Sequence, residues 1–152
     1  MPRYVVHIPT KLGPDQAFSD LSHFDRAAEW DPSVGEGTML TPEPVRRGSR
    51  FALQAEFLGR SIPMEYEIVE FEPGTRVVLR ADTPFVRSID TMTFATASGA
   101  SGSNETIVTY DARLEAKGWA KLATPLLALA FRRIGDRAAA GLHQRLGAES
   151  PV

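Results

Sequence analysis

At Gly35 the spacing of apolar side chains changes, and no other feature of the chain restricts its fold as strongly. Upstream, "PDQAFSDL" and "HFDRAAEW" repeat apolar residues at helical intervals; downstream, as far as residue 116, they recur at every second position. A period of two sends alternate side chains to opposite faces of an extended strand. Strands are therefore expected over 35–41, 47–58, 61–72, 75–82, 86–97 and 105–116. A further strand over 3–9, "RYVVHIP", is rich in β-branched and aromatic residues and is ended by Pro9. The links carry turn chemistry: Gly59 in "LGRS", Pro73-Gly74 in "EPGT", then "DTP" and the longer polar loop "SGASGSNE". Links this short make neighbouring strands antiparallel.

The helical segments bracket this β region. Pro14 and Asp15 suit a first helical turn, and a second piece begins at Ser22 or His23. Asp31-Pro32 stops it, because a residue before proline is pushed out of the α region. Residues 118–146 form a long amphipathic pattern with Ala123, Leu127, Ala130, Ile134, Ala138 and Leu142 along one face. Pro125 sits either in its first turn or at a kink. The expectation is a single α+β domain spanning 1–152, a seven-stranded curved antiparallel sheet covered on one face by two short helices and one long C-terminal helix.

Composition narrows the chemistry. The 152 residues include no cysteine, which removes disulfides, thiolate metal sites and cysteine nucleophiles. A net charge of -2, with both signs interleaved, offers no basic stripe for nucleic acid. The N-terminal apolar stretch is too short for a signal peptide, and no run approaches a membrane span, so a cytoplasmic protein without stable membrane insertion is expected. His7, His23 and His143 fall on separate elements without metal-ligand spacing. "VGEG" precedes a strand rather than a helix and does not read as a phosphate cradle. No metal and no cofactor is expected; the oligomeric state is left open.

Alternation then sorts the strand side chains. One face carries Phe51, Leu53, Ala55 and Phe57, then Met64, Tyr66 and Ile68, then Val77, Leu79 and Ala81. The same face continues with Asp90, Met92 and Phe94, and with Val108, Tyr110, Ala112 and Leu114. The opposite face holds Glu65, Glu67, Arg80, Asp111 and Arg113 and should be wet. Large, adaptable and amphipathic residues with one carboxylate among them are compatible with an ordinary packed core or with a hollow.

The order strand, two short helices, six strands and a long helix resembles the helix-grip fold of the START-like (SRPBCC) superfamily. That superfamily includes the major birch pollen allergen, lipid-transfer START domains and polyketide cyclases. The resemblance is carried by "EWDPSV", "RRGSRF", "YEIVEFEPGTRVVLR", "DTMTF", "TIVTYDARLEAKG" and "PLLALAFRRIGDRAAAGL", and is strongest to the bacterial polyketide cyclase/dehydrase and lipid-transport family. It implies a hydrophobic cavity between sheet and last helix. Carried onto this chain, the lining would be Leu53, Phe57, Met64, Tyr66, Ile68, Leu79, Met92, Phe94 and Tyr110, with Leu127, Ala130 and Ile134 from the helix. Trp30 would either anchor the two-helix wedge or touch a ligand.

Asp90 is the candidate catalytic residue: facing an apolar cavity, its carboxyl would be desolvated and suited to acid/base work. The other reading pairs it with Arg87 near a strand end. Tyr66 and Tyr110 orient a ligand or serve as core tyrosines with satisfied hydroxyls. Arg132 and Arg133 form a solvated helix face or meet an acidic partner or headgroup. Three functions follow as expectations: a binding domain for a hydrophobic small molecule, a cyclase or dehydratase working in the same hollow, and a protein-interaction module.

Overall fold

A computed structural model of the chain describes residues 2–57, 59–98 and 104–148. Strand β1 (Arg3–Thr10) leads into helix α1 (Pro14–Ser22) and a 3-10 turn, Phe24–Glu29. Six strands follow: β2 (Val34–Met39), β3 (Arg50–Phe57), β4 (Arg60–Glu72), β5 (Arg76–Asp82), β6 (Val86–Ser98) and β7 (Asn104–Ala116). A second 3-10 turn, Gly118–Ala123, precedes the long helix α2 (Thr124–Ala148). The strands form one antiparallel sheet in the order β1-β7-β6-β5-β4-β3-β2, so the first strand closes against the last. The sheet curls around α2 as a half-barrel, the helix-grip arrangement.

Several expected boundaries move for local reasons. β3 starts at Arg50 rather than 47, because residues 46–49 close a turn in which Ser49 N–H donates to the Arg46 carbonyl at 3.0 Å. Ser22 ends α1, its hydroxyl donating to the Phe18 carbonyl at 2.5 Å, and the second helical piece tightens to 3-10 geometry. The long helix begins at Thr124, not 118, which places Pro125 in the first turn, where its missing N–H interrupts no helical bond. The loop expected over "SGASGSNE" lies largely outside the described residues, at 99–103.

The short helices fill one half of the concave face. Phe18 of α1 meets Phe71 and Phe94 edge to face, with ring centroids 5.2 and 5.3 Å apart. Ile68, Val77, Leu79, Met92 and Val108 are fully buried beneath this half. At roughly 25 cal/mol per Å2 of apolar surface removed from water, each such side chain is worth about 1.5–3 kcal/mol.

α2 is held over the other half by close approach and by charge. A Cβ on Gly141 would collide with the Trp30 carbonyl, and one on Gly135 would overlap the Tyr4 ring. Glycine at both positions therefore lets the helix axis come down onto the wedge and onto β1. Arg145 grips Asp20 through two hydrogen bonds of 2.8 Å and Glu29 through a third of 2.8 Å. This fork-on-carboxylate geometry joins the end of α2 to both short helices.

Candidate functional site

Where the wedge stops, the concave face opens. A pocket of about 640 Å3 lies between β3, β4, β6 and β7 on one side and the first half of α2 on the other. Its walls are mainly apolar: Leu53, Ala55, Phe57, Ile62 and Met64 from β3 and β4, Ala112 and Leu114 from β7, and Leu127, Phe131, Ile134 and Ala138 from α2. Phe24 closes the inner end, its ring edge to face with Tyr66 at 5.0 Å. Phe85 and Trp119 form the rim, 49% and 71% exposed, with ring centroids 5.6 Å apart.

Sheet register assembles a polar cluster on the floor. Tyr66 of β4 lies opposite Ala81 of β5, which lies opposite Ser88 of β6. The alanine is small enough for the tyrosine hydroxyl to pass over it and donate to Ser88 Oγ at 3.0 Å. Ser88 in turn faces Asp90 Oδ1 at 3.4 Å, two residues along the same face of β6. Tyr110 of β7, diagonal to Asp90 in the register, donates to Asp90 Oδ2 at 2.8 Å. A second carboxylate, Asp31, borders the pocket from the wedge, its Oδ1 accepting from Ser33 N–H at 2.9 Å and Ser33 Oγ at 2.7 Å.

Burial dominates the electrostatics. Loss of water pushes the Asp90 carboxyl up to about 7; Tyr110 and Ser88 pull it down, and the nearby Asp31 adds to the rise. Asp31 is likewise raised by burial, opposed by its bonds from Ser33. Tyr66 and Tyr110 are driven well above the usual phenol range, by desolvation first and by the Asp90 charge second, so both remain hydrogen-bond donors. Arg87 does not serve Asp90: it pairs with Asp82 at 2.6 Å, an aspartate also held by Lys117 at 2.9 Å.

Of the residues expected to line a hollow, Leu53, Phe57, Met64, Tyr66, Tyr110, Leu127 and Ile134 border the pocket, as does Asp90. Trp30, Ile68, Leu79, Met92, Phe94 and Ala130 do not. Ile68, Leu79, Met92 and Phe94 share a strand face with the pocket residues but lie in the hydrophobic core of the filled half. Trp30 is an anchor: it is 4% exposed, with its ring against Tyr110 at 5.7 Å and Phe24 at 6.3 Å. Ala130 lies half-buried on α2, off the lining face. Residue patterns did not point to Ser88, Asp31, Phe85 or Trp119 as site residues. Ser88 had a usable signal, two positions from Asp90 in one strand; Asp31 reads in sequence only as a helix stop.

Among the described residues, no group of three or more His, Asp or Glu side chains is placed to hold a metal ion. His7 instead bonds Thr109 and His23 bonds Glu43. No helix among the described residues is long and apolar enough to cross a membrane.

A curled seven-stranded antiparallel sheet gripping a long C-terminal helix is the helix-grip architecture of START-like proteins. Within that class the chain belongs to the polyketide cyclase / dehydrase and lipid transport family, whose model matches residues 1–147. Solved structures of the same fold include a START superfamily protein from Mycobacterium smegmatis, at 15% identity over 95% of this chain and 96% of that one, with a TM-score of 0.74. A Thermus thermophilus protein shares 17% identity over 99% and 100% of the two chains, with a TM-score of 0.76. The Zhui aromatase/cyclase from Streptomyces sp. R1128 shares 12% identity over 98% of each, with a TM-score of 0.65. At these identities the likeness is one of fold alone. No curated protein matches the chain.

Proposed function

We propose that the protein binds an amphipathic small molecule in the pocket between sheet and α2, its apolar body against the aliphatic wall and its polar end at the Asp90 cluster. The observation that carries this is the 640 Å3 volume, apolar along its walls and ending in a buried, hydrogen-bonded carboxylate. A space of that size suits a ligand of small-molecule dimensions. A protein-docking module has no use for such a volume, which favours the small-molecule reading over the interaction-module one. Family membership is consistent with either transport or cyclisation.

The test is uptake of Nile red, a neutral solvatochromic dye, together with native mass spectrometry of the purified protein. Saturable blue-shifted emission at one dye per chain is expected, abolished by Ala112→Phe, which fills the centre of the floor. A flat titration with no co-purifying species sinks the proposal.

One observation favours catalysis as a second reading: Asp90, titrating near 7 and bonded to Tyr110, has the proton affinity of a general acid/base at physiological pH. In that case Asp90 would move a substrate proton while Tyr110 orients it. Turnover of a polyketone probe that survives Asp90→Asn undiminished removes this reading and leaves the binding one.

A further inference from the structure

Hydrogen-bond accounting inside the pocket is one-sided. The lining hydroxyls of Tyr66, Ser88, Tyr110 and Ser33 each already donate to a protein oxygen. The remaining lining hydroxyls, on Ser61 and Thr83, donate to Gln54 and to the Val86 carbonyl. Acceptor capacity, by contrast, is left over. Asp90 receives two hydrogen bonds where a carboxylate has room for about four. Asp31 receives both of its bonds on Oδ1, and among the described residues no hydrogen bond reaches its Oδ2.

Charge follows the same pattern. The lining contains Asp31, Glu56 and Asp90 against a single cation, Arg60. Glu56 and Arg60 are exposed to solvent, whereas Asp31 and Asp90 are 8% and 4% exposed. Every buried charge bordering the pocket is therefore a carboxylate, and the aromatic residues Phe24, Tyr66, Tyr110 and Phe131 share the lining with them. An anion reaching the floor would be desolvated beside two carboxylates, with every lining hydroxyl already donating; the other side-chain donors of the lining, Arg60 and Trp119, are exposed to solvent. A cation would find free acceptors and opposite charge together, in a lining that also contains aromatic residues.

We infer that the ligand's polar end is a protonated amine, held at Asp90 in the field of Asp31, and that the pocket rejects an otherwise matched carboxylate. The inference rests on the pocket being the ligand site, as proposed above. It carries its own pH signature. Asp90 must be ionised to hold the ammonium, and it titrates near 7 among Asp31, Tyr66, Tyr110 and, on the adjacent strand, Asp111. Amine affinity therefore rises between pH 6 and pH 8, while that of a neutral alcohol does not.

The experiment is calorimetric titration of the full chain with 4-phenylbutylamine, 4-phenylbutanol and 5-phenylpentanoate at pH 6 and pH 8. At pH 8 the amine is expected to bind at least about tenfold more tightly than the carboxylate, a difference of about 1.4 kcal/mol, and more tightly than the alcohol. Asp90→Asn should abolish the amine's advantage over the alcohol and its dependence on pH. A carboxylate that binds as well as the amine, an amine no better than the alcohol, or an amine preference indifferent to pH overturns the inference. If Nile red still saturates in that case, the pocket stands and only the headgroup assignment falls. If Nile red also fails, the binding proposal goes first and takes this with it.

Discussion

Tyr110 donates a 2.8 Å hydrogen bond to Asp90 from the neighbouring strand, and both residues are more than nine-tenths buried on the floor of the pocket. The pair is in conflict with itself. Burial raises both groups toward their protonated forms, while the hydrogen bond favours the Asp90 carboxylate. The outcome is a carboxyl close to half-ionised at neutral pH.

Because the Asp90 pKa is raised on folding, from 3.8 to about 7, the folded chain holds a proton that the unfolded chain releases. Its contribution is thus full below the ordinary carboxylate range and is lost as pH rises through 7, by about 4 kcal/mol at most. Asp31 acts in the same direction, whereas Asp82 and Asp111, lowered by their arginine and lysine partners, act only at more acid pH. Urea denaturation of wild type and Asp90→Asn at pH 5 and pH 8 checks this. The variant should gain stability relative to wild type as pH rises; an unchanged difference between the two pH values is the contrary result.

Tyr110→Phe removes the strongest donor to Asp90 and leaves the ring that packs on Trp30. Losing a bond to a charged group costs about 1.5–3 kcal/mol while Asp90 is ionised, and less once it is protonated. The Asp90 carboxyl should titrate higher still, which carbon-13 NMR of aspartate-labelled protein reads directly. A midpoint that stays or falls contradicts the assigned donor direction.

Gly141→Ala forces a methyl group against the Trp30 carbonyl, where backbone cannot yield cheaply. Overpacking of this kind costs about 1–3 kcal/mol or more. Gly147→Ala, in the same helix with nothing near the added carbon, should be neutral or stabilising by up to about 1 kcal/mol. Thermal melts of the two variants should separate by several degrees, with Gly141→Ala the lower; coincident melts would mean α2 does not bear on the wedge at this point.

Trp119→Ala strips the rim while leaving the floor intact, since Trp119 is 71% exposed and its ring meets that of the half-exposed Phe85 edge to face. Stability should change by no more than about 0.5 kcal/mol. Stopped-flow release of Nile red should accelerate severalfold, because the ring flanks the route out. Release that slows or is unaffected assigns the mouth elsewhere.

How much of this was legible in the residues depends on which level is asked about. The alternation in "PMEYEIVEFE" placed Met64, Tyr66 and Ile68 on the inner face and Glu65 and Glu67 on the outer one, as found. It could not separate Tyr66, at the pocket, from Ile68, in the core one row away. Both are buried apolar strand residues, and the difference lies in whether α1 reaches over them. Asp90 illustrates the same limit: its face was readable, but the choice between Arg87 and a cluster of Tyr110 and Ser88 depended on partners 20 and 2 residues away.

What the chain by itself determined is the period of two after Gly35, the turns between strands, and the long helix at the end, since these follow from local geometry and side-chain direction. Tertiary structure alone decided where the concave face is filled and where it is left open. The filled half is covered by Phe18 of α1, while Gly141 and Arg145 fix where α2 lies. A void is what remains after separate elements have packed, and no single stretch of sequence carries a signal for the space between them.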